Sequence, residues 1–139
     1  MTGDQSDRKN GIKILLVDDS KTARLQLRSP LESEGYTVLE GTSGVEGLAL
    51  VAAHKDPIGL IVTDQNMPNK TGIEMVRDIR LLTGNINASC PVVFLTSDSS
   101  PEIREACMIL GAKAIVLKPV KPEVLIAAIK KILARAAAG

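Results

Sequence analysis

The chain has 139 residues, with 17 basic side chains against 16 acidic ones and a formal net charge of +1. That length suits one domain with a sizeable core. The near balance of charge argues against nucleic-acid binding, which needs clustered positive charge. Hydrophobic residues make up 45% of the chain, yet Tyr36 and Phe94 are its only aromatics, so the core must be built from Ile, Leu, Val, Ala and Met. No run of 18 apolar residues occurs, so no membrane span is expected. The opening MTGDQSDRKN is polar and lacks the apolar segment of a signal peptide. Residues 1–10 are expected to be a disordered tail and residues 11–139 the domain, in the cytoplasm. Cys90 and Cys107 have no metal-ligand spacing and read as buried thiols.

From Gly11 onward strand and helix alternate five times. Ile12 to Val17 is an apolar run ending at Asp18, Asp19 and Ser20. A helix is predicted from Lys21 to Glu34, closed by Gly35, with Pro30 expected to kink it or end it early. Tyr36 to Glu40 is a short second strand. Gly44 to His54 is a second helix, with Val45, Leu48, Ala49 and Ala52 predicted on its inner face and His54 as a solvated end residue. Ile58 to Thr63 is a third strand, β-branched and without a polar alternation, and it stops at Asp64. Pro68 and Gly72 bar regular structure until a third helix, Ile73 to Leu81, whose inner edge is set by Ile73, Val76 and either Ile79 or Arg80.

A polar loop, TGNINAS, leads to the fourth strand, Val92 to Thr96. Ser99 or Ser100 caps a fourth helix with Pro101 in its first turn and Ile103, Ala106, Cys107 and Leu110 inward, ended by Gly111. Ala114 to Leu117 is the fifth strand, followed by Lys118 and Pro119. A last helix runs from Pro122 to about Ala137, with Leu125, Ala128, Ile129 and Ile132 inward. This alternation predicts an α/β fold, a doubly wound five-stranded parallel sheet with helices on both faces. Its binding crevice lies at the carboxyl ends of the strands, where the winding reverses.

Those carboxyl ends carry Asp18 and Asp19, Asp64, Thr96 and Lys118. Each has a bland reading alone: a helix cap, a turn-forming acid, a backbone-bonded hydroxyl, a solvated lysine. Parallel strands bring all of them to one edge. Two unit charges ~4 Å apart repel by about 4 kcal/mol at an effective dielectric of ~20. Three carboxylates together are therefore expected to hold a hard cation, Mg²⁺ or Mn²⁺. A metal, a lysine and a hydroxyl around one free carboxylate are the parts needed to accept a phosphoryl group, with Asp64 attacking in line.

In LLVDDS at 15–20, VTDQNMPNKTG at 62–72, FLTSD at 94–98 and GAKAIVLKP at 111–119, the chain resembles the receiver domains of two-component response regulators. The resemblance covers residues 11 to 137. It implies strand order 2-1-3-4-5, a flavodoxin-like topology, and phosphorylation of Asp64 from the phosphohistidine of a sensor histidine kinase or phosphotransfer protein. It also implies Mg²⁺ on Asp19, Asp64 and the backbone carbonyl of Asn66, with Asp18 assisting through water, and phosphoryl contacts from Thr96 and Lys118. It implies a stand-alone, chemotaxis-like receiver, expected to be a monomer. Such a protein is no enzyme beyond its own phosphotransfer and dephosphorylation. It signals by binding a protein target through the face of the fourth helix, fifth strand and fifth helix. The family often has Tyr or Phe three residues before the lysine, where this chain has Ile115.

Three rivals remain. A metal-dependent phosphatase or phosphomutase with an aspartyl nucleophile commonly needs an acid two residues further on, where Asn66 stands. A flavodoxin-like cofactor module needs a phosphate cradle after the first strand, but DDSKT has no glycine and two negative charges. A scaffold-only receiver should have lost one of the five residues, and none is lost.

Overall fold

The computed structural model describes residues 11–138. Five strands, β1 (Lys13–Val17), β2 (Thr37–Gly41), β3 (Leu60–Asp64), β4 (Val92–Thr96) and β5 (Ala112–Leu117), form one parallel sheet in the order β2-β1-β3-β4-β5. Between and after them run α1 (Lys21–Ser33), α2 (Gly44–Ala53), α3 (Gly72–Arg80), α4 (Pro101–Ile109) and α5 (Pro122–Ala138). The predicted fold class and strand order are those observed. The predicted tail, residues 1–10, lies outside the described residues.

β3 and β4 are buried along their whole length, as inner strands of a sheet covered on both faces must be. Alternate side chains feed two cores. Leu15, Val17, Ile61, Val92 and Phe94 point to one, closed by Met75, Val76, Ile79 and Cys107. Ile14, Leu16, Leu60, Val62, Val93 and Leu95 point to the other, closed by Leu27, Leu31, Leu125 and Ile129. Both cysteines are free and buried, as expected, and burial pushes their thiols up to about 12 for Cys90 and about 11 for Cys107.

Several local expectations need correction. Pro30 does not end α1 early; the helix runs a turn further, because Pro30 loses only its own N–H while its carbonyl still accepts from Glu34 at 3.2 Å. On α2 the buried residues are Gly44, Gly47 and Val51, with Leu48 partly buried, while Val45 is exposed and so are Ala49 and Ala52. The reason is close approach: a Cβ at Gly44 would lie 2.6 Å from the Lys70 carbonyl oxygen, and one at Gly47 2.6 Å from Met75 Sδ. Two glycines thus let α2 seat directly on α3 and the loop before it. His54 is the residue after α2, half-buried, and its Nε2 is shielded with no hydrogen-bond partner rather than solvated. It sits at the amino edge of the sheet, opposite the strand ends that carry the acids. β5 begins two residues earlier than predicted, with a register irregularity between Val92 and Val93. Of the two predicted cap candidates for α4, Ser99 and Ser100, it is Ser100 that caps the helix, as one of the alternatives expected. The α3 edge is Ile73, Met75, Val76 and Ile79; Arg80 is half-buried and ties the Leu110 and Ala88 carbonyls.

Candidate functional site

β1 and β3 are neighbours at the point where winding reverses, so their carboxyl ends open the crevice. Asp18 directly follows β1, and Asp64 is the last residue of β3. Both are buried to 2% exposure, while Asp19 is exposed. One carboxylate oxygen from each of Asp18, Asp19 and Asp64 lies within 4.8 Å of the others. Lys118, just past β5, reaches back so that its Nζ stands 2.8 Å from Asp64 Oδ1. A cavity of about 210 Å³ opens beside the cluster, lined by Asp18, Gln26, Leu27, Leu95, Lys118 and Pro119.

The electrostatics follow from burial and crowding. Desolvation raises the Asp18 pKa above its ordinary value, and the negative charges of Asp64 and Asp19 add to it; the Ser20 N–H and Lys118 oppose the rise without cancelling it. A site that disfavours its own carboxylate charge favours a cation. Three carboxylate oxygens, with no His or Cys among them, suit a hard divalent ion rather than a soft one.

Local bonds fix how each residue is presented. Asp18 Oδ1 accepts the Ser20 N–H at 2.9 Å, and Ser20 Oγ accepts the Ala23 N–H at 3.2 Å, turning the chain from β1 into α1. Asp64 Oδ1 accepts the Asn66 N–H at 3.1 Å. Asn66 itself is exposed at the lip of the loop. Thr96 is fully buried, and its hydroxyl accepts the Asp98 N–H at 3.0 Å. The Lys118 backbone N–H donates to the Thr96 carbonyl at 2.9 Å, which locks β5's exit to β4's end. The structure therefore brings Asp18, Asp19, Asp64 and Lys118 into one cluster. Asn66 and Thr96 flank it, with Thr96 engaged by its own loop.

Two residues were missed in the sequence. Gln65 is buried; its Oε1 accepts the Ile73 N–H at 2.8 Å, and its carbonyl accepts from Met67 and Gly72 at 3.2 Å each. It staples the loop after Asp64 to the start of α3. Gly72 makes this possible, since a Cβ there would stand 2.4 Å from the Asp64 carbonyl oxygen. Arg24 is also buried, donating to the Asp18 carbonyl at 2.7 Å and to Glu40 at 2.8 Å.

Comparisons with known proteins agree with this geometry. Residues 14–130 match the response regulator receiver domain family. Chemotaxis protein CheY1 of Helicobacter pylori is 31% identical over 115 residues, spanning 82% of this chain and 90% of that protein. Sensor protein EvgS of Escherichia coli is 37% identical over 115 residues, but the chain spans 9% of its length. Among solved structures, the chemotaxis response regulator CheY4 of Vibrio cholerae is similar with a TM-score of 0.77 and 31% identity, over 87% of this chain and 98% of that one. A receiver domain protein from Clostridium thermocellum gives a TM-score of 0.79 at 29% identity, over 91% and 97%. Family match and strand-end cluster coincide: this chain belongs to the response regulator receiver domain family.

Proposed function

We propose that this protein accepts a phosphoryl group on Asp64 from the phosphohistidine of a sensor histidine kinase or phosphotransfer protein, in a Mg²⁺-dependent reaction, and signals by binding a protein. The observation that carries the reading is Asp64 itself: a buried carboxylate at a strand end, 2.8 Å from Lys118 and grouped with two further acids.

Asp18, Asp19, Asp64 and the Asn66 carbonyl would hold the ion. When bound, Mg²⁺ supplies positive charge against the oxygens of the phosphoryl group. The chain's own residues do the rest. Lys118 and the Asn66 N–H both engage Asp64 Oδ1. This leaves Oδ2 to attack phosphorus in line, forming the acyl phosphate as the P–N bond to the histidine breaks. Lys118 then balances charge on the transferred group. Thr96, at the next strand end, exchanges its bond to Asp98 for one to a phosphoryl oxygen. Burial of Asp64 limits the access of water, and so the hydrolysis of the acyl phosphate to free carboxylate and inorganic phosphate.

The partner surface in this reading is the face of α4, β5 and α5. Met108 and Ile109 on α4, Leu117 on β5 and Val124 on α5 are all exposed, Ile109 to 75%. A groove between β5 and α5 is lined by Ile115, Leu117, Pro119 and Val124. Such a run of apolar side chains suits a protein partner. Among the described residues, no helix is long and apolar enough to cross a membrane.

Incubation with acetyl phosphate and Mg²⁺, followed by mass spectrometry, tests the assignment. The adduct is expected on Asp64 alone, absent without metal and absent in Asp64→Asn. A full-strength adduct in Asp64→Asn would refute the assignment.

A further inference from the structure

Asp19 is the most exposed of the three clustered acids, and its carboxylate has no hydrogen bond of its own among the described residues. Its aim must therefore come from the backbone that carries it. The backbone of Asp18 is held at both of its polar groups, its N–H in the 17–18 peptide and its carbonyl in the 18–19 peptide. The Asp18 N–H donates to the Gly41 carbonyl at 3.1 Å, and the Asp18 carbonyl accepts from Arg24 Nη1 at 2.7 Å. Arg24 Nε in turn donates to Glu40 Oε1 at 2.8 Å, and Arg28 pairs with the other oxygen of Glu40. Glu40 and Gly41 are consecutive residues at the end of β2, so the clamp closes on itself: Gly41 to Asp18, Asp18 to Arg24, Arg24 to Glu40.

We propose that Arg24 is a positioning residue for the cation site, holding the 18–19 peptide so that Asp19 points at Asp64, with Glu40 as its anchor. The inference rests on the Mg²⁺ reading above. A guanidinium suits the task because its planar fork donates to a carbonyl and a carboxylate in fixed relative directions, which an ammonium cannot reproduce. Burial of the guanidinium excludes water that would otherwise compete for the Asp18 carbonyl.

Charge and geometry make opposite forecasts here. A cation beside three acids weakens Mg²⁺ binding if it acts only through its charge, so removing it tightens binding. If Arg24 acts by positioning, removing it weakens binding. Residues that orient metal ligands without touching the metal typically contribute about ten- to a hundredfold in affinity.

The experiment is Mg²⁺ titration of the full chain, followed by calorimetry and by the amide shifts of Asp19, Asp64 and Asn66. It compares wild type, Arg24→Lys, Arg24→Gln, Glu40→Gln and the double variant R24Q/E40Q, with urea unfolding in EDTA to establish that each is folded. Arg24→Lys and Arg24→Gln are expected to bind Mg²⁺ about tenfold more weakly or worse. Glu40→Gln should move the same way, and the double variant should be no weaker than Arg24→Gln. Unchanged affinity in Arg24→Lys, or tighter binding in Arg24→Gln, overturns the positioning role. Should Arg24→Gln not fold, Arg24→Lys decides, because it keeps the charge and loses only the fork. A wild-type protein that binds no Mg²⁺ would instead overturn the metal reading itself.

Discussion

Thr96 Oγ1 accepts the backbone N–H of Asp98 at 3.0 Å, so the hydroxyl at the carboxyl end of β4 is tied to the loop that opens α4. The tie continues. Asp98 Oδ1 accepts the Ser100 N–H at 2.8 Å, and Ser100 Oγ accepts the Ile103 N–H at 3.4 Å as the cap of α4. In the proposed reading, drawing Thr96 toward a phosphoryl group would take the first bond out of this chain and free the loop to move.

That relay predicts the conformational response. Ile115 pairs with Phe94 across the sheet and packs partly buried against the core under α4. It is stiff at χ1 and smaller than a ring, so its rotamer changes the surface little. On adding beryllofluoride and Mg²⁺ to imitate the phosphorylated state, NMR shift changes should cluster at Asp64, Thr96 and residues 97–100. Thr96→Ala should abolish the loop changes, and Thr96→Ser should keep them. Strong changes on the outer face of β5 that vanish in Ile115→Ala would make Ile115 the switch and defeat this account.

Crowding of acids predicts a stabilising mutation. At 4.8 Å and an effective dielectric of ~20, each like-charged pair costs about 3.5 kcal/mol before Lys118 offsets part of it. Because the folded-state pKa of Asp18 is raised, the folded protein binds more protons than the unfolded chain, and metal-free stability falls as pH rises through that window. Asp18→Asn should remove this fall and gain about 1 kcal/mol without metal at pH 7, near 3 °C in melting temperature. Asp19→Asn should abolish most of the Mg²⁺-dependent rise. Calorimetric scans with and without Mg²⁺ measure both, and an unchanged rise in Asp19→Asn would remove Asp19 from the ligand set.

Glu40 behaves in the opposite sense. Burial alone would raise its pKa, but hydrogen bonds from Arg24 and Arg28 outweigh that and lower it below its ordinary value of 4.5. Its contribution is therefore present above that value and lost as pH falls through the lower, folded value. Glu40→Gln should cost about 2 kcal/mol at pH 7. Urea melts of wild type and variant should converge as pH drops toward 3; a gap that stays constant excludes the ion pair as its source.

Gly72 tolerates no side chain. A Cβ there meets the Asp64 carbonyl oxygen at 2.4 Å, and that contact is backbone, which cannot swing aside. Gly72→Ala should destabilise by about 2–3 kcal/mol and shift the amides of Asp64 and Gln65. A neutral effect in urea melts would show that the loop has more slack than its bonds suggest.

The site was legible in the sequence because its residues end apolar runs: Asp64 and Asp18 interrupt strands that are hydrophobic without alternation, and parallel strands share an edge. Arg24 was overlooked although a signal existed, since it falls on the buried 24-27-31 stripe of α1 with Leu27 and Leu31. A charged residue on such a stripe asks for a partner, but Glu40 is 16 positions away on a strand, a pairing only the fold reveals. The α2 face was misread for a different reason. Apolar periodicity weighs large side chains, so it picked Val45 and passed over Gly44 and Gly47, whose value lies in having none. Gln65 gave no signal, because its amide caps a helix eight residues on, across an irregular loop.

Those two glycines have a mechanical consequence. With α2 bedded on α3 and on the Lys70 loop at near-backbone distance, and α3 itself sunk through Ile73, Met75, Val76 and Ile79, one flank of the domain is bolted down. The other is not: α4 fully buries Cys107 alone. A disturbance starting at the strand ends meets unequal stiffness and travels toward the yielding side, as a door opens on the edge away from its hinges. In the proposed phosphorylation reading, the direction of the response is then set by how tightly the two flanks are fastened, before any phosphoryl group arrives.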